Sequence, residues 1–108
     1  TILFTGDIEA EGEEQVIEAG LARVDVLKIA HHGSPTSSSA AFVATARPTL
    51  AVISCGRGNT FRFPSPAVLA RLSAVGAEVA RTDLEGSIAV VVAADGALSV
   101  QRFAPPAL

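Results

Sequence analysis

Short apolar runs alternate with amphipathic segments along most of this chain, and this alternation restricts its fold more than any other feature. The apolar runs have the length of buried strands, and the segments between them repeat their apolar residues at helical spacing. Strands that alternate with helices favour an α/β layered domain built on a βα-type sheet. The predicted elements are strands at 2–4, 24–30, 50–54 and 78–81 and helices at 9–22, 40–46 and 66–75.

Capping residues and a final pair of apolar runs complete this prediction. Ser39 and Ser65 precede the second and third helices, where a serine hydroxyl can accept a hydrogen bond from a free backbone N–H. Pro66 suits the first position of the third helix. Residues 87–93 and 98–103 predict an antiparallel hairpin. The layered domain is therefore expected to end in a β-hairpin.

The length and composition fit one folded domain. The chain has 108 residues, of which 49% are hydrophobic and 18% are charged, and it holds a single cysteine. We interpret residues 1–104 as the domain and 105–108 as a tail. No apolar run approaches the roughly 20 residues that cross a bilayer. The chain starts inside a predicted strand without an initiator methionine, which predicts a fragment of a longer protein.

Charge is distributed unevenly along the sequence. Six of the eleven acidic residues lie within residues 1–18, whereas five arginines and one acid lie between 47 and 81. A basic second half can meet phosphate groups, as nucleic-acid-binding surfaces do. The alternative interpretation is a set of solvated surface arginines.

The first candidate site combines Asp7 with His31 and His32. Each follows a predicted buried strand, and chemistry in such sheets gathers beyond the carboxyl ends of the strands. Adjacent strands lie about 5 Å apart, and zinc or manganese accepts both carboxylate and imidazole ligands. Consecutive residues of an extended chain point to opposite sides, so we expect one histidine to face the site. The alternative is that Asp7 caps a helix and the histidines fill a turn.

The number of ligands limits this metal hypothesis. The chain contains two histidines in total, whereas a catalytic zinc takes about three protein ligands and a water. Either this is not a metal site, or the remaining ligands lie on a segment that the sequence does not include.

Two polar loops supply further candidate contacts. Ser34 opens the serine-rich loop 34–39, whose hydroxyl and N–H groups could bind phosphate oxygens or could only cap the next helix. The Gly-Arg-Gly-Asn loop that follows the third strand has neither a dinucleotide-binding fingerprint nor a P-loop lysine, which indicates a tight turn. Arg57, Asn59 and Arg62 are its candidate contacts to a phosphate or a scissile group.

Several motifs together resemble a known family. The Thr-Gly-Asp that ends at Asp7 and the His-His-Gly-Ser that ends at Ser34 are the most specific of them. Softer matches are Arg47-Pro48, Gly58-Asn59 and the Arg-Thr-Asp run that ends at Asp83. Over residues 1 to about 92 the chain resembles the second half of a metallo-β-lactamase-fold domain, in particular the C-terminal domain of the ComEC family of competence DNA-uptake proteins.

That resemblance implies a fold and an activity. The fold would be half of an αββα sandwich with metal ions at one edge, with Asp7 and His32 as metal ligands and His31 and His32 as catalytic residues. The intact domain would use zinc or manganese as a metal-dependent hydrolase, a nuclease that degrades the DNA strand that is not imported. It would lie on the extracytoplasmic side of a bacterial inner-membrane protein.

The resemblance also implies partners. These are single-stranded DNA, a missing N-terminal half of the domain and a membrane channel, with Ser34, Arg57, Asn59 and Arg62 as substrate contacts. An apolar face left uncovered in the fragment also predicts self-association.

Two departures from the family pattern support alternatives. The His-x-His/Asp-x-Asp-His metal motif is absent, so we expect the fragment alone to be inactive. Phe63 stands where a histidine is usual, and a phenyl ring can neither bind a metal nor transfer a proton. The alternatives are a non-catalytic DNA-binding or assembly module and a hydrolase of another ester.

Overall fold

A computed structural model describes residues 1–103, and the predicted tail at 105–108 lies outside them. No helix in this range is long and apolar enough to cross a membrane. The elements in chain order are β1 (Ile2–Phe4), α1 (Ala10–Glu18), β2 (Val26–Lys28), a 3-10 turn (Ala30–Gly33), α2 (Ala40–Ala46), β3 (Leu50–Ile53), α3 (Pro66–Ala74), β4 (Glu78–Arg81), α4 (Thr82–Glu85), β5 (Ser87–Val92) and β6 (Leu98–Phe103).

The first four strands form one parallel sheet in chain order. Leu27 of β2 pairs with Leu3 of β1 on one side and with Ala51 of β3 on the other, and Ala51 pairs with Val79 of β4. Parallel strands end at the same edge, so the loops that follow β1, β2 and β3 meet there. The α/β class predicted from the sequence is confirmed, and this carboxyl edge is where its candidate residues gather.

The helices and the hairpin cover opposite faces of the sheet. Leu27, Ile53, Phe42 and Leu72 are among the core residues on the helical face, and each is at most 1% exposed. Val26, Leu50 and Ala80 are buried on the other face, under the hairpin of β5 and β6. The result is a parallel sheet with helices on one side and a two-stranded hairpin on the other. In residues 1–103 an αββα sandwich is not shown.

The caps explain where the helices begin and end. The hydroxyl oxygens of Ser39 and Ser65 accept hydrogen bonds from backbone N–H groups at the starts of α2 and α3, as predicted. The first helix is shorter than predicted because the backbone at Gly20 turns to a φ of 103°. The N–H of Gly20 then bonds the carbonyl of Ile17, and the next residue returns to Val16, which is a Schellman C-cap.

Candidate functional site

A cavity of about 430 Å³ opens at the carboxyl edge of the sheet. This volume falls within the range of small-molecule and cofactor sites, roughly 300–1,000 Å³. Loops after β1, β2 and β3 all contribute to its wall. The residues that line it are Glu9, His31, His32, Ser34, Thr36, Cys55, Gly56, Asn59, Phe61 and Phe63.

His31 and His32 form a left-handed turn in the wall of this cavity. Their φ angles are 53° and 56°, which a residue with a Cβ adopts at a cost of about 1–2 kcal/mol. The backbone N–H of His31 donates to the carbonyl of Gly6 at 3.0 Å, which joins this turn to the turn after β1. The expectation that only one histidine faces the site is wrong, because the pair is not extended and both residues line the cavity.

The ring of His32 is oriented by a backbone carbonyl. Its Nδ1 lies 2.6 Å from the carbonyl oxygen of Ser54. A carbonyl oxygen can only accept, so Nδ1 carries the proton and, in the neutral ring, Nε2 is the free acceptor. Histidines that bind metals or move protons are commonly held in this way. His32 can therefore offer one ring nitrogen to a ligand.

His31 faces a carboxylate and an aromatic ring. Its Nδ1 lies 4.0 Å from Oε2 of Glu9, and among the described residues that nitrogen has no hydrogen-bond partner. Its ring meets Phe63 edge-on, with centroids 6.4 Å apart. Glu9 was missed by the sequence analysis, which considered only Asp7 after β1. A carboxylate near the cavity therefore comes from Glu9.

Asp7 lies in the turn after β1 and is exposed. Its neighbour Gly6 receives the hydrogen bond from His31, so the structure brings the two turns together at one edge. In the described part of the chain, no group of three or more His, Cys, Asp and Glu side chains could together hold a metal ion. The residues present therefore do not complete a metal site, and zinc or manganese on Asp7 and His32 stays a prediction.

A buried carboxylate fills the start of the second helix. Glu13 is 1% exposed, and its Oε1 accepts the N–H of Ser39 at 2.9 Å while its other oxygen accepts the N–H of Ser38. From the sequence, these N–H groups were candidates for binding phosphate oxygens. In the structure both are already hydrogen-bonded to Glu13. Ser34 and Thr36, whose hydroxyl oxygens are 2.8 Å apart, are the loop residues that line the cavity.

Asn59 shapes the loop after β3. Its Nδ2 donates to the carbonyl of Phe63 and its Oδ1 accepts the N–H of Phe63, both at 2.8 Å. The amide is thus engaged within the loop, and its role as a substrate contact stays a prediction. Arg57 and Arg62 are exposed on the same loop, and Arg57 Nε donates to the carbonyl of Asp83 at 3.3 Å. These two arginines are the cations nearest to the cavity along the chain.

Burial, together with the carboxylate of a neighbouring ion pair, keeps the Cys55 thiol in its neutral form. Arg81 donates to both carboxylate oxygens of Asp83, at 3.1 and 2.8 Å, and these bonds hold the pKa of Asp83 below its usual range. Burial, followed by a hydrogen bond to Asp83, raises the pKa of the Cys55 thiol. The thiol is therefore protonated at neutral pH and is a poor nucleophile. Arg81 is committed to Asp83 and is not a free phosphate contact.

Relatives found in the comparisons with known proteins include proteins named for competence and for recombination. No family model and no solved structure matches the chain. Recombination protein 2 of Haemophilus influenzae is 40% identical over 90 residues, which are 83% of this chain and 11% of that protein. Competence protein ComA of Neisseria gonorrhoeae is 40% identical over 89 residues, 81% of this chain and 13% of that protein. ComE operon protein 3 of Bacillus subtilis is 39% identical over 87 residues, 80% and 11% respectively.

These findings correct the resemblance stated from the sequence. The relatives carry the names of recombination and competence proteins, and none is named as the metallo-β-lactamase domain of ComEC. The identification as that domain is therefore withdrawn, and similarity to these competence proteins replaces it. The chain spans only 11–13% of the length of the three relatives.

Proposed function

We propose that this chain is a non-catalytic, DNA-contacting module of a competence protein and that its cavity at the carboxyl edge holds the DNA. The observation that carries the proposal is the similarity of four fifths of the chain to proteins named for competence and recombination. Competence is the ability to take up DNA, and recombination acts on DNA. None of these names is that of a nuclease or a hydrolase. We therefore favour the non-catalytic module over the nuclease as the function of this chain.

The geometry supplies groups that suit a nucleic-acid backbone. Arg57 and Arg62 are exposed cations on the loop after β3, which forms one wall of the cavity, and Ser34 and Thr36 also line it. Side chains of these types make most protein contacts to phosphate oxygens. The chain as a whole carries a formal charge of −3, so binding has to depend on this local group of cations rather than on net charge.

The remaining expectations belong to the same proposal. The module would be one part of a longer bacterial inner-membrane protein, on its extracytoplasmic side, with the membrane channel as its neighbour. Asp7 and His32 would become zinc or manganese ligands only with further ligands from elsewhere in that protein.

The proposal predicts salt-sensitive DNA binding through Arg57 and Arg62. Wild-type chain should bind a fluorescent oligonucleotide at about 50 mM salt and lose affinity by about 200 mM, because binding releases counterions from the phosphates. The double variant Arg57→Gln/Arg62→Gln should bind much more weakly, with a salt slope smaller by about two. Fluorescence anisotropy measures both quantities.

Arg23 and Arg47 provide the matched control. They line a separate pocket among residues that precede β2, β3 and β4, which places it at the opposite edge of the sheet. Arg23→Gln/Arg47→Gln should therefore leave DNA binding unchanged. An equal loss in both double variants would contradict a site at the carboxyl edge. Cutting of the oligonucleotide by the chain in the presence of Mn²⁺ would contradict a non-catalytic module.

A further inference from the structure

Phe61 presents an unusually exposed aromatic ring at the wall of the cavity. Its exposed fraction is 76%, although phenylalanine is among the residues most often found buried. Its ring stacks on that of Phe63, with centroids 5.4 Å apart and an angle of 17° between the planes. Phe63 is half-buried and covers one face of the Phe61 ring. The other face of the Phe61 ring is open.

The surrounding contacts hold this pair in place. Asn59 bonds both the N–H and the carbonyl of Phe63, and His31 meets the Phe63 ring edge-on. At the end of the loop, the N–H of Ser65 donates to the carbonyl of Gly33 at 2.9 Å, which ties the loop to the histidine turn. A fixed surface loses little conformational entropy when a ligand binds, so the pair is preorganised for a flat partner.

We propose that the open face of Phe61 stacks against an unpaired base of single-stranded DNA, with Arg57 and Arg62 on the adjoining phosphates. The inference rests on the proposed function and adds how the DNA is recognised. Every base has a π-face, so stacking on an aromatic side chain binds single strands with little sequence preference. In a duplex those faces are covered by neighbouring base pairs. The site should therefore select single strands.

The test uses three probes and four variants of the 108-residue chain. The probes are labelled oligothymidylate of about 12 nucleotides, the same strand with abasic sites, and a hairpin duplex of equal length. Phe61→Ala removes the ring, Phe61→Leu keeps apolar bulk without a π-face, and Phe61→Trp restores stacking. Phe103→Ala is the matched control, because Phe103 is also an exposed phenylalanine, at 56%, but lies on β6 and does not line the cavity.

Anisotropy titrations at low salt give the outcome. Phe61→Ala and Phe61→Leu should weaken binding of oligothymidylate at least fivefold, about 1 kcal/mol, since stacking contributes roughly 1–3 kcal/mol per base. Phe61→Trp and Phe103→Ala should bind within twofold of wild type, and the abasic strand and the hairpin should bind more weakly than oligothymidylate. Thermal melts followed by circular dichroism check that each variant folds.

Two results would overturn the inference while leaving the proposed function intact. One is wild-type affinity in Phe61→Leu, which keeps the bulk of the side chain and therefore tests stacking even if Phe61→Ala fails to fold. The other is equal binding of the abasic strand, the hairpin and oligothymidylate to wild type, which would mean that only the DNA backbone is recognised. If wild type binds none of the three probes at low salt, the proposed function itself is wrong, and this inference falls with it.

Discussion

Gly33 is the residue at which the backbones of the histidine turn and the loop after β3 approach most tightly. A Cβ at this position would lie 2.5 Å from Cβ and 2.8 Å from Cα of Pro64, and the φ angle is +86°. Both the close approach and the left-handed backbone require glycine. The absence of a side chain at this position thus allows the two loops that form the cavity to lie close together.

Gly33→Ala should destabilise the chain by about 2–4 kcal/mol, from backbone strain together with overpacking against Pro64. Gly96→Ala separates the two causes, because Gly96 has a φ of +87° and no atom within 4 Å of an added Cβ. That variant should lose only about 1–2 kcal/mol. Urea unfolding measures both, and equal losses would show that the contact with Pro64 has no energetic weight.

At the scale of elements, the junction of β4 and α4 carries a pH-dependent ion pair. The Asp83 carboxylate has a lowered pKa because Arg81 donates two hydrogen bonds to it, so folding favours the ionised form. Its contribution is fully present above the pKa of an unfolded aspartate, about 3.9, and is lost as the pH falls through the lower folded value. The pair therefore stabilises the junction at neutral pH and ceases to do so in acid.

Urea unfolding between about pH 5 and pH 2 tests this prediction. Wild type should lose more stability over that interval than Asp83→Asn, which cannot ionise. Arg81→Gln removes the main cause of the shift and should flatten the same part of the curve. Identical pH profiles for wild type and Asp83→Asn would mean that the pair makes no contribution.

The sequence predicted the elements better than the connections between them. The helix at Ala40–Ala46 and the strand at Glu78–Arg81 have their predicted bounds, because local apolar spacing and caps determine them. The helix at Thr82–Glu85 was missed, whereas the turn at Ala30–Gly33 agrees with the alternative that the two histidines fill a turn. Both are short and have no apolar period of their own.

The candidate site was predicted only in part, because local sequence patterns indicate strands and helices but not contacts between residues that are distant in the chain. His31 and His32 follow a strand, so their place at the carboxyl edge could be read from the sequence. The hydrogen bond from the N–H of Ser38 to Glu13 joins residues that are 25 positions apart in the chain, and no local sequence pattern predicts it. Phe61 was likewise read only as part of a loop, because its exposure depends on how that loop folds back.

At the scale of the whole molecule, the hairpin leaves part of the sheet uncovered. Ile2 and Phe4 of β1 are 43% and 76% exposed. They line a mainly apolar groove together with Val26, Val52 and Val90, and Lys28 is its one charged lining residue. Exposed apolar patches of this kind favour association with another protein surface.

We expect the chain to self-associate through this groove as its concentration rises. Phe4→Lys adds a second positive charge beside Lys28 in the groove and should shift the sedimentation coefficient toward that of the monomer. Phe103→Lys is the control, because Phe103 is also exposed, at 56%, but does not line the groove. A wild-type chain that sediments as a monomer at every concentration would contradict the prediction.

The left-handed turn at His31 and His32 has an evolutionary consequence. Asparagine, aspartate and histidine adopt this backbone conformation more often than other residues with a Cβ, whereas valine and isoleucine strongly disfavour it. Substitutions at these two positions are therefore expected to favour asparagine and aspartate. A descendant with asparagine at both positions would lose both imidazoles and still keep the backbone that shapes this wall of the cavity.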